Sequence, residues 1–180
     1  MYTIKSLARE IEAIGFRCTR CGVCCRRCEE DSDLVMLSPG EIQGIASATG
    51  MDRDRIVEPY PECLDLGNGT TCTFEWALKR VDHHCIFLFG DQCTIYLHRP
   101  WICTTYPFML DGNRLLTFPC PGIGAGMERN EAEDLAKALL QRKEAEEVEE
   151  TRIRKVMDSY PLPEGKRVLI DGEGVKVLDG

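Results

Sequence analysis

The sequence predicts a small α+β domain of irregular build, with short helices and hairpins followed by a long C-terminal helix and a terminal β-hairpin. Three observations predict it. The short segments carry caps and turn signals instead of long periodic runs. Residues 128–158 form one Glu-, Ala-, Lys-, Arg- and Leu-rich stretch without Gly or Pro. Eleven of the 180 residues are cysteine, and five of these crowd into residues 18–28. The change of composition near residue 126 divides the chain into a cysteine-cluster domain, 1–126, and a helical extension with a β-hairpin packed on it, 127–180.

The elements follow in order. In residues 3–14, Ile4, Leu7, Ala8, Ile11 and Ile14 recur at helical spacing; Thr3 is a capping residue and Gly15 a stop. Residues 29–33 are polar and acidic and read as a loop. Ser38-Pro39-Gly40-Glu41 is a capping box with proline at the first helical position, and it predicts a helix over 39–48 ending at Gly50. Residues 51–62 read as another short helix that runs into Pro59 and Pro61. Asp65-Leu66-Gly67-Asn68-Gly69 is a turn, and 70–81 shows no clean period. Residues 85–89 read as a strand entering a Gly90-Asp91 turn, with 92–96 as the return. The clearest hairpin is 106–110 and 114–118 around Asp111-Gly112-Asn113. The long helix covers 128–158 with one break expected near Glu150. Residues 167–171 and 175–178, joined by Gly172-Glu173-Gly174, form the terminal hairpin.

Charge and hydropathy exclude whole classes. Lys and Arg number 22 against 30 Asp and Glu, a net charge of −8, so phosphate has little to attract it and nucleic acid is not an expected partner. No window reaches about 18 apolar residues, so no membrane span is expected. Residues 1–10 show no apolar targeting core, and the expected location is the cytoplasm. In reducing conditions an odd number of cysteines argues against a disulfide framework. Crowded thiols there are best explained by a metal that keeps them ionised, which makes the domain metal-centred.

Cys18-Thr19-Arg20-Cys21-Gly22-Val23-Cys24-Cys25 is a CxxCxxCC motif. Two intervening residues let a tight turn aim successive sulfurs at one ion, and Gly22 removes a Cβ where the chain must bend. Cys18, Cys21, Cys24 and Cys28 also match C-x₂-C-x₂-C-x₃-C, the spacing of a bacterial-type [4Fe–4S] run. Glu29 stands where such runs carry proline, and there is no second copy, which argues against a ferredoxin. Cys25 would ligate a second metal or be buried. Cys85, Cys93, Cys103 and Cys120 are too widely spaced to be a motif by themselves, but each adjoins a turn or a proline. These four would close a second site or share one multinuclear site with the first group.

Taken together, CxxCxxCC at 18–25, Cys85-Ile86-Phe87-Leu88, the segment from Cys93 through His98-Arg99-Pro100-Trp101-Ile102-Cys103 to Tyr106-Pro107-Phe108, and Cys120-Pro121-Gly122-Ile123-Gly124 resemble the CxxCxxCC cysteine-cluster family. Its members are described as zinc- or iron-chelating, YkgJ-like, or Fe–S oxidoreductases. The resemblance spans about residues 16–126 and includes the helix at 37–46. It implies that Cys18, Cys21, Cys24, Cys25, Cys85, Cys93, Cys103 and Cys120 hold the cofactor, the right number for two four-thiolate sites. Cys28, a candidate metal ligand by its spacing, lies outside the family pattern, as do Cys63 and Cys72. Thr104 departs from it, since the family often has arginine after that cysteine. All-sulfur ligation suits both zinc and iron. The near-ferredoxin spacing favours an iron–sulfur cluster, [4Fe–4S], in electron transfer or redox chemistry, with a redox partner protein of unspecified identity. An Fe–S oxidoreductase is the form that enzyme activity would take. The alternatives are a Zn²⁺-binding structural or interaction module and a protein lysine N-methylase-like enzyme. The last follows from a related domain in flagellin lysine N-methylases, and no methyl-donor motif accompanies it.

Weaker signals surround this centre. Arg17, Arg20, Arg26 and Arg27 would compensate thiolate charge or dock an acidic partner, the first being the simpler reading. His83 and His84 read first as a solvated turn, with one imidazole replacing a thiolate ligand as the functional alternative; His98 reads as a structural hydrogen-bonder, and Arg99 as a pair for a core acid or a support for a sulfur. Phe87, Phe89, Tyr96, Trp101, Tyr106 and Phe108 read mostly as core, with shielding of a cluster as the functional alternative. The acidic run at 144–150 is a solvated helix face, and the apolar stripe beneath it would pack on the domain or on a second copy in a homodimer.

Overall fold

The computed structural model describes residues 2–26 and 34–178. Cys28, Arg27 and the loop expected at 29–33 lie outside the described residues. The fold is α+β. It begins with α1 (Ile4–Ile14), which Thr3 caps by accepting from the Ser6 N–H, and which Gly15 closes at φ 72°. Next is a one-turn α2 (Val23–Arg26). After β1 (Met36–Leu37) the predicted capping box starts α3 (Pro39–Thr49), with both reciprocal Ser38–Glu41 bonds made and Gly50 in the left-handed conformation.

The helix expected over 51–62 is only α4 (Arg53–Ile56), because the following residues become β2 (Val57–Pro59). Val57 and Pro59 pair antiparallel with Leu78 and Trp76, and a partner strand outcompetes a short helix that has no side-chain cap. Then come β3 (Leu64–Asp65), β4 (Thr71–Thr73) and β5 (Trp76–Leu78). The single hairpin read over 85–96 resolves into two smaller ones. β6 (Arg80–Val81) pairs with β7 (His84–Cys85), and β8 (Leu88–Phe89) pairs with β9 (Gln92–Cys93). A 3-10 turn at Tyr96–His98 leads to α5 (Trp101–Thr105).

The clearest predicted hairpin is present as β10 (Phe108–Asp111) and β11 (Arg114–Thr117), with Asp111 opposite Arg114. α6 (Arg129–Ser159) is 31 residues long and has no break near Glu150. Glu150 bonds Arg154 one turn on at 2.6 Å, and Glu149 accepts from the Gly172 N–H at 2.8 Å, so the acidic run is tied down where a break was expected. β12 (Arg167–Asp171) and β13 (Gly174–Val177) form the terminal hairpin. Among the described residues no helix is long and apolar enough to cross a membrane.

The chain divides into two compact units, Met1–Arg26 with Phe87–Ala145, and Arg27–Ile86 with Glu146–Gly180. In the first, Leu7, Ala8 and Ile11 of α1 pack against Phe108 of β10 and Ala132, Ala136 and Leu139 of α6. Each fully buried Leu or Ile contributes on the order of 2 kcal/mol. In the second, β12 is one of the two inner strands of a sheet ordered β13-β12-β4-β3. It runs parallel to β4, with Val168 opposite Cys72. Val168 and Ile170 pack with Cys72 and Val156.

The end of β12 carries a buried anion. Asp171 is 2 % exposed. It accepts from Trp76 Nε1 at 2.9 Å, from the Glu173 N–H at 3.0 Å, from Arg53 at 3.4 Å and from Lys176. Arg53 also lies 4.5 Å from the Trp76 ring centroid. Burial pushes the Asp171 carboxyl up, but the bonds from Lys176, Trp76 and Glu173 outweigh it and hold the carboxyl below the ordinary 3.8. The ionised form is therefore the folded one. Its contribution is complete above the ordinary value and is lost as pH falls through the lower folded value. D171N should lose about 3 kcal/mol of stability at pH 7 by urea denaturation, with a weaker decline in acid than the natural chain shows.

Candidate metal centre

Seven of the expected sulfur ligands fall in the first unit: Cys18, Cys21, Cys24, Cys25, Cys93, Cys103 and Cys120. Cys85 ends β7 in the second unit. None of the ten described cysteines is in a disulfide.

Backbone contacts bring together the segments that carry six of them, Cys18, Cys21, Cys24, Cys25, Cys93 and Cys120. Residues 15–17 run beside 122–124, with Phe16 bridged antiparallel to Ile123. Arg17 N–H donates to Gly122 at 3.0 Å, and Gly124 N–H donates to Gly15 at 3.0 Å. This clamp sets the chain entering the CxxCxxCC motif beside the loop of Cys120. The approach is so close that a Cβ on Gly122 would stand 2.1 Å from the Arg17 carbonyl oxygen. The loop that follows Cys120 is thus one half of the clamp.

A second contact seats α2 on the β8–β9 turn. Gly22 adopts φ 69°, and a Cβ there would lie 2.8 Å from the Asp91 carbonyl oxygen. Arg26 reaches across the same junction. It donates to the Cys21 carbonyl at 3.1 Å and to the Gly90 carbonyl at 2.7 Å, and it pairs with Asp91. Cys24 and Cys25 on α2 are thereby brought to Cys93 at the end of β9.

The Cys25 thiol is within hydrogen-bonding reach of both the Cys24 and the Cys93 sulfurs. That bond is the largest influence drawing Cys24 down to about 7 and Cys93 down to about 6, and the Arg99 guanidinium lowers both further. Hydrogen bonds from the Val23 N–H and Thr19 lower Cys21. Cys120 moves the other way. Burial raises it, and the sulfurs of Cys21, Cys24 and Cys18 within electrostatic reach repel its charged form, against one N–H···S bond from Gly122 at 3.5 Å. Cys103 sits on α5, where Arg99 donates to its carbonyl oxygen at 3.4 Å.

Arg99, for which the sequence offers a core acid or a sulfur as partner, is a cation beside the Cys24 and Cys93 sulfurs and lies 3.7 Å from the Tyr96 ring centroid. Arg20 covers the same ring at 4.5 Å, and Arg17 approaches Glu131 at 3.9 Å. Phe89 is 82 % exposed and shields nothing, whereas Phe87 and Phe108 are buried. His84 bonds the Asp82 carbonyl oxygen at the exposed tip of the β6–β7 hairpin.

The donor set fits a soft metal. Every gathered donor is sulfur, and Cys24 and Cys93 are shifted toward the thiolate that binds metal. Among the described residues no three His, Cys, Asp or Glu side chains are arranged closely enough to hold an ion. The sulfurs are neighbours, not a finished coordination shell.

A unit that collects thiols from four separated segments, with guanidiniums among them, defines a cysteine-based metal-chelating domain. The chain belongs to the CxxCxxCC family, described as a "putative zinc- or iron-chelating domain", whose family model matches residues 17–138. No curated protein and no solved structure matches it.

Two outcomes test this geometry. G122A should destabilise the protein by roughly 3 kcal/mol in chemical denaturation, since the clamp has no room for a methyl group. In the metal-free protein, iodoacetamide labelling of Cys93 and Cys24 should rise with midpoints near pH 6 and 7, values that belong to the coupled set. R99L should move both midpoints upward.

Proposed function

We propose that this chain is an iron–sulfur protein with an electron-transfer role. The observation that carries the reading is the sulfur-only donor set, held partly as thiolate beside Arg99 at neutral pH. A [4Fe–4S] cluster takes four thiolates and exchanges single electrons. Cys18, Cys21, Cys24, Cys25, Cys93, Cys103 and Cys120 are the thiols from which these four would come.

Two features favour iron over a structural zinc. The first unit has an apolar core of Leu7, Ile11, Phe108 and Leu139 that contains no cysteine, so it does not need a metal to supply its folding energy. Cys18 and Cys24 are exposed and the other five are half-buried. Sulfurs near the surface leave a cluster within reach of a partner, as electron transfer requires. Arg99 offsets thiolate charge, and Arg26 holds the loops that carry it through the Cys21 and Gly90 carbonyls.

Anaerobic purification tests the proposal. The expected product is brown, absorbs broadly near 400 nm, and carries roughly four iron and four sulfide per chain with a reversible reduction wave. C24S and C93S should each lose most of the iron while keeping the native circular dichroism. A colourless protein with stoichiometric zinc and no redox wave would overturn the iron reading.

A further inference from the structure

α6 runs on past residue 138, where the family match ends, and its next turn carries Arg142. This side chain is 8 % exposed. Burying a guanidinium costs much free energy unless its donors are satisfied, so its placement needs a reason. Arg142 Nη1 donates to Thr105 Oγ1 at 3.0 Å. Thr105 is itself fully buried and donates onward to the Trp101 carbonyl at 2.8 Å, across one turn of α5. The relay thus ends on the helix that carries Cys103.

α5 needs such a hold. It has five residues and no side-chain N-cap, and a helix that short does not sustain itself in water. Its start is tied by Thr104 Oγ1 donating to the Arg99 carbonyl at 3.1 Å and by Arg99 donating to the Cys103 carbonyl. Its end is tied by Thr105, through which α6 acts.

We infer that Arg142 is a positioning residue for the metal centre, fixing α5 through Thr105 so that the Cys103 sulfur is presented among the other thiols. The inference rests on the metal-binding reading above and adds to it a residue from beyond the family's matched segment. It makes the turn of α6 just past residue 138 part of the site's support. Lysine at 142 would keep the charge but lack the planar fork that reaches Thr105 in this geometry.

The test uses the full-length protein with the metal it carries on purification. Metal release to an excess of chelator is timed for T105V, T105S, R142Q, R142K and the T105V/R142Q double variant, each checked by circular dichroism. T105V and R142Q should each release metal about 10-fold faster, as loss of an outer hydrogen bond to a ligand-bearing element does. R142K should fall near R142Q, T105S should match the natural chain, and the double variant should be no faster than either single one. In parallel, the metal-free proteins are labelled with iodoacetamide and read by mass spectrometry. Cys103 should label several-fold faster in T105V, with Cys63 in the second unit unchanged. Release at the natural rate in folded T105V, or additive effects in the double variant, would overturn the inference. If R142Q does not fold, the contrast of T105V with T105S decides alone. If the natural chain carries no metal, the metal reading fails, and the labelling of Cys103 still decides whether Arg142 and Thr105 hold α5.

Discussion

Sulfurs held side by side repel one another once ionised, and a fold that collects them must supply both the force that gathers them and the charge that tolerates them. Here the gathering is done by main chain. The 15–17 and 122–124 segments are hydrogen-bonded at van der Waals contact, and α2 is seated on the β8–β9 turn by a glycine that leaves the Asp91 carbonyl room. The tolerance comes from arginine. Arg99 lowers the cost of a negative Cys24 or Cys93, and Arg26 holds the loop of Cys21 through its carbonyl. Cys120, raised by its burial and by the like charge of Cys21, Cys24 and Cys18, is the member for which this compensation is weakest.

What was legible in the sequence is what local rules govern. The caps at Thr3 and Ser38, the stops at Gly15 and Gly50, the 108–117 hairpin and the long helix all depend on residues within a turn or two of one another. Elements that depend on remote partners were misread or missed. Val57–Pro59 is strand only because β5 is there to pair with it. The parallel pairing of β12 with β4 joins residues almost a hundred positions apart, and no periodicity reports that. The identity of the sulfur donors was legible from spacing and resemblance, but not their grouping. That Cys25 lies between Cys24 and Cys93 depends on Gly22 and Arg26. The roles of Arg99 and Arg142 depend on the folding of α5.

The two units solve the burial of charge in opposite ways. In the second, one carboxylate, Asp171, is surrounded by Arg53, Lys176 and an indole N–H, so a single anion organises several donors at the end of an inner strand. In the first, several weak anions share few cations. A site of the first kind is saturated and rigid. A site of the second kind keeps unspent attraction for a cation, which a metal ion satisfies better than any further arginine would.

In the first unit the core and the thiols are different residues. Its core is built from α1, β10 and α6, whose buried members are all hydrocarbon side chains. The thiols sit on the loops and single turns that this core displays. Where sulfurs and core are the same residues, as in small zinc modules, losing the metal unfolds the chain. Where they are distinct, binding a metal orders the displayed segments and leaves the scaffold standing. Control over metal affinity then belongs to residues that hold the short elements in place, and α5, too short to hold itself, is the element on which such residues act most strongly.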